Sequence, residues 1–107
     1  ERLKPLRSPV LIAVGVTSER EDAMTKREDL QAASAAMQNM LIAANSLGLA
    51  AIWRTGDGAY DDSVKAHFNL RPQDEIAGFL YLGYPDESFG AMSERTRDFA
   101  SKTEWRG

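Results

Sequence analysis

Between Leu30 and Leu47 apolar residues return at steps of three and four: Leu30, Ala33, Met37, Met40, Leu41, Ala44 and Leu47. That period draws one apolar stripe along an α-helix, and Gly48 directly after it supplies a C-terminal stop. Upstream, Thr25-Lys26-Arg27-Glu28 sets a hydroxyl three residues before a carboxylate, a pattern that satisfies a helix's first free amides. The spacing predicts a helix of about 22 residues, roughly 33 Å long. Its alanines (Ala32, Ala33, Ala35, Ala36, Ala43, Ala44) make narrow faces that other elements can approach, so the helix reads as buried. With 107 residues the chain has room for one domain, because a second core would be too small to persist.

Three short apolar runs lie around that helix. Pro9 to Val16 is β-branched and unbroken by polar alternation, as expected of a central strand covered on both faces. Leu49 to Trp53 follows Gly48 without a linker, and Arg54-Thr55-Gly56-Asp57-Gly58 ends it with two glycines that permit a tight backbone. That loop is the best candidate for building a site. Asp61 or Asp62 can cap a short helix with Val64 and Phe68 on one face, and Pro72 closes its continuation. Ile76 to Tyr84 is the third strand, ended by Pro85. The polar remainder to Gly107 carries Trp105 as its isolated large anchor. Three strands make a narrow sheet with two open edges, which calls for a covering segment or a second copy of the chain.

Composition removes several functions. A net charge of -3 with mixed signs offers no broad positive field for nucleic acid. No cysteine and one histidine leave no basis for a disulfide framework or a His/Cys metal site. The apolar runs are far shorter than the ~20 residues needed to cross a bilayer, and Glu1-Arg2-Leu3-Lys4 lacks a secretory layout, so cytoplasmic residence is expected. Neither Gly-x-Ser-x-Gly nor Gly-x-Gly-x-x-Gly occurs. The adjacent pairs Asp61/Asp62 and Asp74/Glu75 suit caps and turns better than acid–base work.

The long helix with Gly48-Leu49-Ala50-Ala51-Ile52-Trp53-Arg54-Thr55-Gly56, then Glu75 to Pro85, then Arg95 to Trp105, resemble in order the helix, strand, loop, last core strand and basic tail of the nitroreductase family. The likeness covers nearly the whole chain and is greatest to the small, compact members. It implies an α+β nitroreductase-like fold with a mostly antiparallel central sheet flanked by helices. It also implies that residues 1–107 are the C-terminal part of a single such domain, since the family's arginine- and serine-rich front motif for the FMN phosphate is absent.

The resemblance implies a cytoplasmic homodimer with FMN at its interface. NAD(P)H would be the electron donor and a nitroaromatic, quinone or similar small molecule the acceptor, in ping-pong hydride transfer. A non-catalytic flavin- or partner-binding α+β module is the alternative. By the same resemblance Trp53, Arg54, Thr55 and Gly56 contact flavin, and Ala43, Ala44, Asn45, Ser46, Leu47 and Gly48 meet the nicotinamide nucleotide. Arg95 and Arg97 would reach the FMN phosphate, and Lys102 to Arg106 would cross to a partner's sheet. Each has a plainer reading: Arg54 as a surface arginine, Trp53 as core, Ala43 to Gly48 as the end of the helix stripe, Arg95 and Arg97 as solvated tail. No side chain is assigned a catalytic acid, base or nucleophile role, and His67 is assigned none.

Overall fold

The computed structural model describes residues 7–88 and 97–107. The first strand, β1, is Val10–Val16; the long helix, α1, is Ala23–Ser46; β2 is Ala50–Arg54; a short helix, α2, is Asp62–His67; β3 is Glu75–Gly83. Single 3-10 turns occupy Asp57–Ala59 and Ala100–Lys102. The three strands form one antiparallel sheet in the order β1-β3-β2, with Val10 opposite Leu82, Ala50 opposite Gly83 and Arg54 opposite Phe79. This α+β arrangement agrees with the fold class expected from the sequence.

The centre of the sheet is not the strand the sequence suggests. Pro9 to Val16 reads as central, yet among the described residues β1 is an edge and Val10 is 49% exposed. The middle position goes to β3, whose Ile76, Ala77, Phe79 and Leu80 are all buried. Unbroken apolar runs look alike in sequence; the order in which they pair is a long-range choice.

The ladder between β1 and β3 slips between Val14 and Gly15, so that Ala77 is an extra residue on β3 between partners Ile76 and Gly78. A bulge of this kind resets the alternation of side chains. Ala77 and Leu80 therefore pack beneath α1 with Val16 and Met37, whereas Ile76 and Phe79 face the other side with Ala59, Val64 and Leu70. Leu80 and Met37 are both completely buried, each contributing about 1.5–3 kcal/mol through removal from water.

α1 starts earlier than expected. Its N-cap is Asp22, whose carboxylate accepts hydrogen bonds from Thr25 N and Thr25 Oγ1, both at 2.8 Å. The Thr25–Glu28 pair is thus not the cap, because Asp22 already satisfies the amide concerned. At the far end Gly48, at φ +75°, follows Leu47, and Leu49 N returns to Ala44 O at 2.9 Å, a Schellman closure. Nor is α1 sheathed: only Met37 and Ala44 are buried, while Ile42 and Leu47 stand open.

Asp61 caps α2 by accepting from Ser63 N and Val64 N. Beyond the C-cap Phe68 stands Asn69 at φ +58°, with Leu70 N bonded to Lys65 O, so the left-handed residue rather than Pro72 stops the helix. Val64 joins the core but Phe68 is 40% exposed and meets His67 edge-on. Beyond it, Arg71 grips the buried carboxylate of Asp74 through backbone N (2.7 Å), Nε and Nη2, and Nη2 also reaches Ser18 O at 3.4 Å. Hydrogen bonds from Arg71 hold the Asp74 carboxyl below its ordinary range. The clamp ties the β1–α1 connection to the start of β3.

Trp105 is 89% exposed and anchors nothing within the described chain. Among the described residues no helix is long and apolar enough to cross a membrane, and no cluster of metal-ligating side chains occurs.

Candidate functional site

Among the described residues β2 pairs with β3 alone, and β2, the end of β3 and the segment before β1 line a cleft of about 910 Å³. Small-molecule sites commonly measure about 300–1,000 Å³. The floor is β2 itself with the loop after it, Ala50 through Gly56; Tyr81 to Tyr84 and Arg7 to Pro9 form the remaining wall. An edge strand offers a row of backbone donors and acceptors without a strand partner.

Residues Trp53, Arg54, Thr55 and Gly56 therefore come together on one lining, as the sequence reading groups them. Register divides their side chains between faces. Trp53 pairs with Leu80 and lies on the α1 side, in contact with the buried cluster. Ile52 and Arg54 pair with Tyr81 and Phe79 and so project from the opposite face. Arg54 is exposed and has no ion pair among the described residues. Gly56 holds φ +74°, and a β-carbon there would meet nothing within 4 Å, so the backbone at this point is open to close approach.

Trp53 is fastened beneath the sheet. Its Nε1–H donates to Ala77 O at 3.2 Å, the carbonyl of the bulge residue. The indole crosses Gly78 so closely that a β-carbon at Gly78 would lie 2.6 Å from Trp53 Cδ1 and 3.0 Å from Arg54 O. Core packing, the plainer reading of Trp53, is what its side chain does here. Its backbone meanwhile lines the cleft.

Other candidates fall elsewhere. Ala43, Ala44, Asn45, Ser46, Leu47 and Gly48 form the last turn of α1 and its cap; Ala44 is buried, and none of the six lines the cleft. Their turn nonetheless leads directly into Ala50 at one end of it. Arg97 is exposed and away from the lining, and Arg95 lies outside the described residues. Conversely, sequence reasoning passes over Arg7, Ile52, Tyr81, Gly83 and Tyr84, which the β1–β3 and β2–β3 pairings carry to the wall.

A family model described as the nitroreductase family matches residues 2–84, which include the whole cleft lining. The chain belongs to the nitroreductase family. It is 37% identical over 84 residues to the Escherichia coli (strain K12) protein named "Putative NAD(P)H nitroreductase YdjA", an alignment covering 78% of this chain and 46% of that protein. To "Putative NAD(P)H nitroreductase YfhC" of Bacillus subtilis (strain 168) it is 32% identical over 73 residues, 68% of this chain and 38% of the relative. The crystal structure of a nitroreductase-like family protein from Bacillus cereus superposes with a TM-score of 0.77 and 26% identity, over 92% of this chain and 51% of that one. The chain thus spans about half or less of the length of these nitroreductase relatives.

Proposed function

We propose that the protein is an FMN-dependent NAD(P)H oxidoreductase that reduces nitroaromatic, quinone or similarly electron-poor compounds by ping-pong transfer, with donor and acceptor using one cleft in turn. The observation that carries this reading is that Trp53 to Gly56 lie together on a ligand-sized cleft in a chain of the nitroreductase family. The lining suits a flat aromatic ligand with an electron-rich rim: one side is open backbone, Ile52 and Tyr81 offer apolar surface, and Arg54 offers a cation.

FMN, when bound, supplies the acceptance and donation of hydride. The chain's part is positioning and electrostatics. The Arg54 guanidinium would stabilise negative charge on the reduced ring. Gly56, with no β-carbon, would let backbone come close. The indole of Trp53, tied to Ala77 O, keeps the strand end from shifting. No side chain of the lining is required as acid, base or nucleophile. A homodimer, with Lys102 to Arg106 added to a partner's sheet, would cover an open edge, and cytoplasmic residence would give access to NAD(P)H.

The test is a visible spectrum and an NADH-oxidation assay on the purified full-length polypeptide. Flavin absorbance near ~450 nm with oxidation of NADH by a nitroaromatic or quinone is the expected result. Colour without turnover means a binding module instead, and no flavin affinity removes the reading. Arg54→Ala should weaken flavin binding or lower the reduction potential; if both stay unchanged, Arg54 does not belong to the site.

A further inference from the structure

We propose that Ala77 and Gly78 are positioning residues of the candidate site: from within the sheet they hold the Trp53 side chain, and through it they fix the start of the Arg54-Thr55-Gly56 turn against a reduced flavin. The flavin part of this rests on the oxidoreductase reading of the cleft. Both residues are buried, and neither lines the cleft.

Their place follows from the two ladders. Ala77 is the extra residue of the bulge, without a partner in β1, and the pairing of β2 with β3 stops at Arg54 opposite Phe79. The Ala77 carbonyl thus belongs to a buried residue outside both registers, where an unpaired oxygen is costly. Trp53 answers it through Nε1–H at 3.2 Å. A phenyl ring would fill much of the same space and leave that oxygen bare, so the indole N–H is what the position demands. Gly78 makes the contact possible. The point where its β-carbon would stand is crowded by the indole and lies 3.0 Å from Arg54 O, so the side chain of Trp53 and the backbone of Arg54 share one notch.

The turn needs such a brace. β2 has five residues, pairs with β3 alone among the described residues, and opens after Arg54 onto a turn containing Gly56 and Gly58. Short strand ends open locally at little free-energy cost. A reduced flavin would draw on Arg54 more than an oxidised one, because its negative charge arises on reduction. Loosening the turn should therefore be felt most by the reduced form.

The experiment replaces the Trp53 indole by benzothiophene, which keeps the shape with sulfur in place of N–H, and separately makes Trp53→Phe, both in the full-length polypeptide. Trypsin cleavage after Arg54, with cleavage after Lys65 on α2 as internal reference, reports opening of the turn without any cofactor. One lost hydrogen bond should speed cleavage at Arg54 by about three- to tenfold in both variants and leave Lys65 within about twofold. The Kd of reduced FMN should rise about threefold or more relative to that of oxidised FMN. Unchanged cleavage at Arg54, or an equal rise at Lys65, overturns the brace. Faster cleavage at Arg54 with an unchanged ratio of the two dissociation constants overturns its part in the flavin chemistry. If the parent binds no FMN, the oxidoreductase reading fails, and the cleavage ratio still decides the brace.

Discussion

Replacing Gly78 with alanine tests how the cleft loop is held. The new methyl would stand 2.6 Å from Trp53 Cδ1 and 3.0 Å from the Arg54 carbonyl oxygen, where ordinary carbon contacts are about 3.5–4.0 Å. Arg54 is paired in the ladder with Phe79 and has little room to yield. Trp53 Nε1 would be the atom nearest the new methyl, so the indole must withdraw by about 1.4 Å, which takes that nitrogen out of hydrogen-bond reach of Ala77 O, already 3.2 Å away. A backbone φ of +153° adds strain for an L side chain. Overpacking and an unsatisfied carbonyl together come to about 3–5 kcal/mol, a large loss for one methyl group.

Urea unfolding of the full-length polypeptide measures this loss, and a cycle with Trp53→Ala identifies its source. With the indole gone the methyl still meets the Arg54 oxygen and the strained φ, so Gly78→Ala should cost about 1–2 kcal/mol in that background, leaving a coupling of about 2–3 kcal/mol. Flavin affinity should fall with Gly78→Ala, since Trp53, whose backbone lines the cleft, is disturbed as its indole withdraws. A cost below about 1 kcal/mol, or one that is the same with and without Trp53, would refute the wedge.

Leu80→Ala opens a void in the centre of the sheet and should lower stability by about 2–5 kcal/mol in the same urea assay. Asp74 contributes through a lowered carboxyl, so its stabilisation is complete above the ordinary carboxylate range and is lost as pH falls through the depressed folded value. Thermal melts from about pH 6 to about pH 2 should therefore show a steeper acid limb for the parent than for Asp74→Asn. Asp22→Ala should lower the melting temperature and Glu28→Gln should leave it almost unchanged, separating the observed cap of α1 from the one its sequence suggests.

What the sequence discloses is what local periodicity and end chemistry can encode. The stripe from Leu30 to Leu47, the stop at Gly48 and the three apolar runs all correspond to elements. The rank of those runs does not follow from their composition. Val10–Val16 is as apolar as β3, and only pairing places Leu80 between two strands. Asp22 was eclipsed as a cap by a familiar hydroxyl–carboxylate spacing three residues later. In the cleft, Trp53 to Gly56 are contiguous and so could be grouped from sequence, while Arg7 and Tyr84 reach the same wall from distant parts of the chain. The bulge at Ala77, which supplies the carbonyl for Trp53, has Gly78 beside it as its one local sign.

The central place of β3 also sets a schedule for biosynthesis. Both of its neighbours precede it in the chain, and β1 waits longest, since Val10 pairs with Leu82. While the ribosome adds residues 17 to 74, neither early strand has its partner in this sheet, and α1 is the one long element able to form from its own hydrogen bonds. A pause between β2 and β3 would prolong the exposure of two unpaired apolar strands. Slow codons that delay the release of β3 from the ribosome's exit tunnel should favour aggregation of the nascent chain, whereas a pause after β3 has emerged finds its pairings with β1 and β2 available and should be harmless.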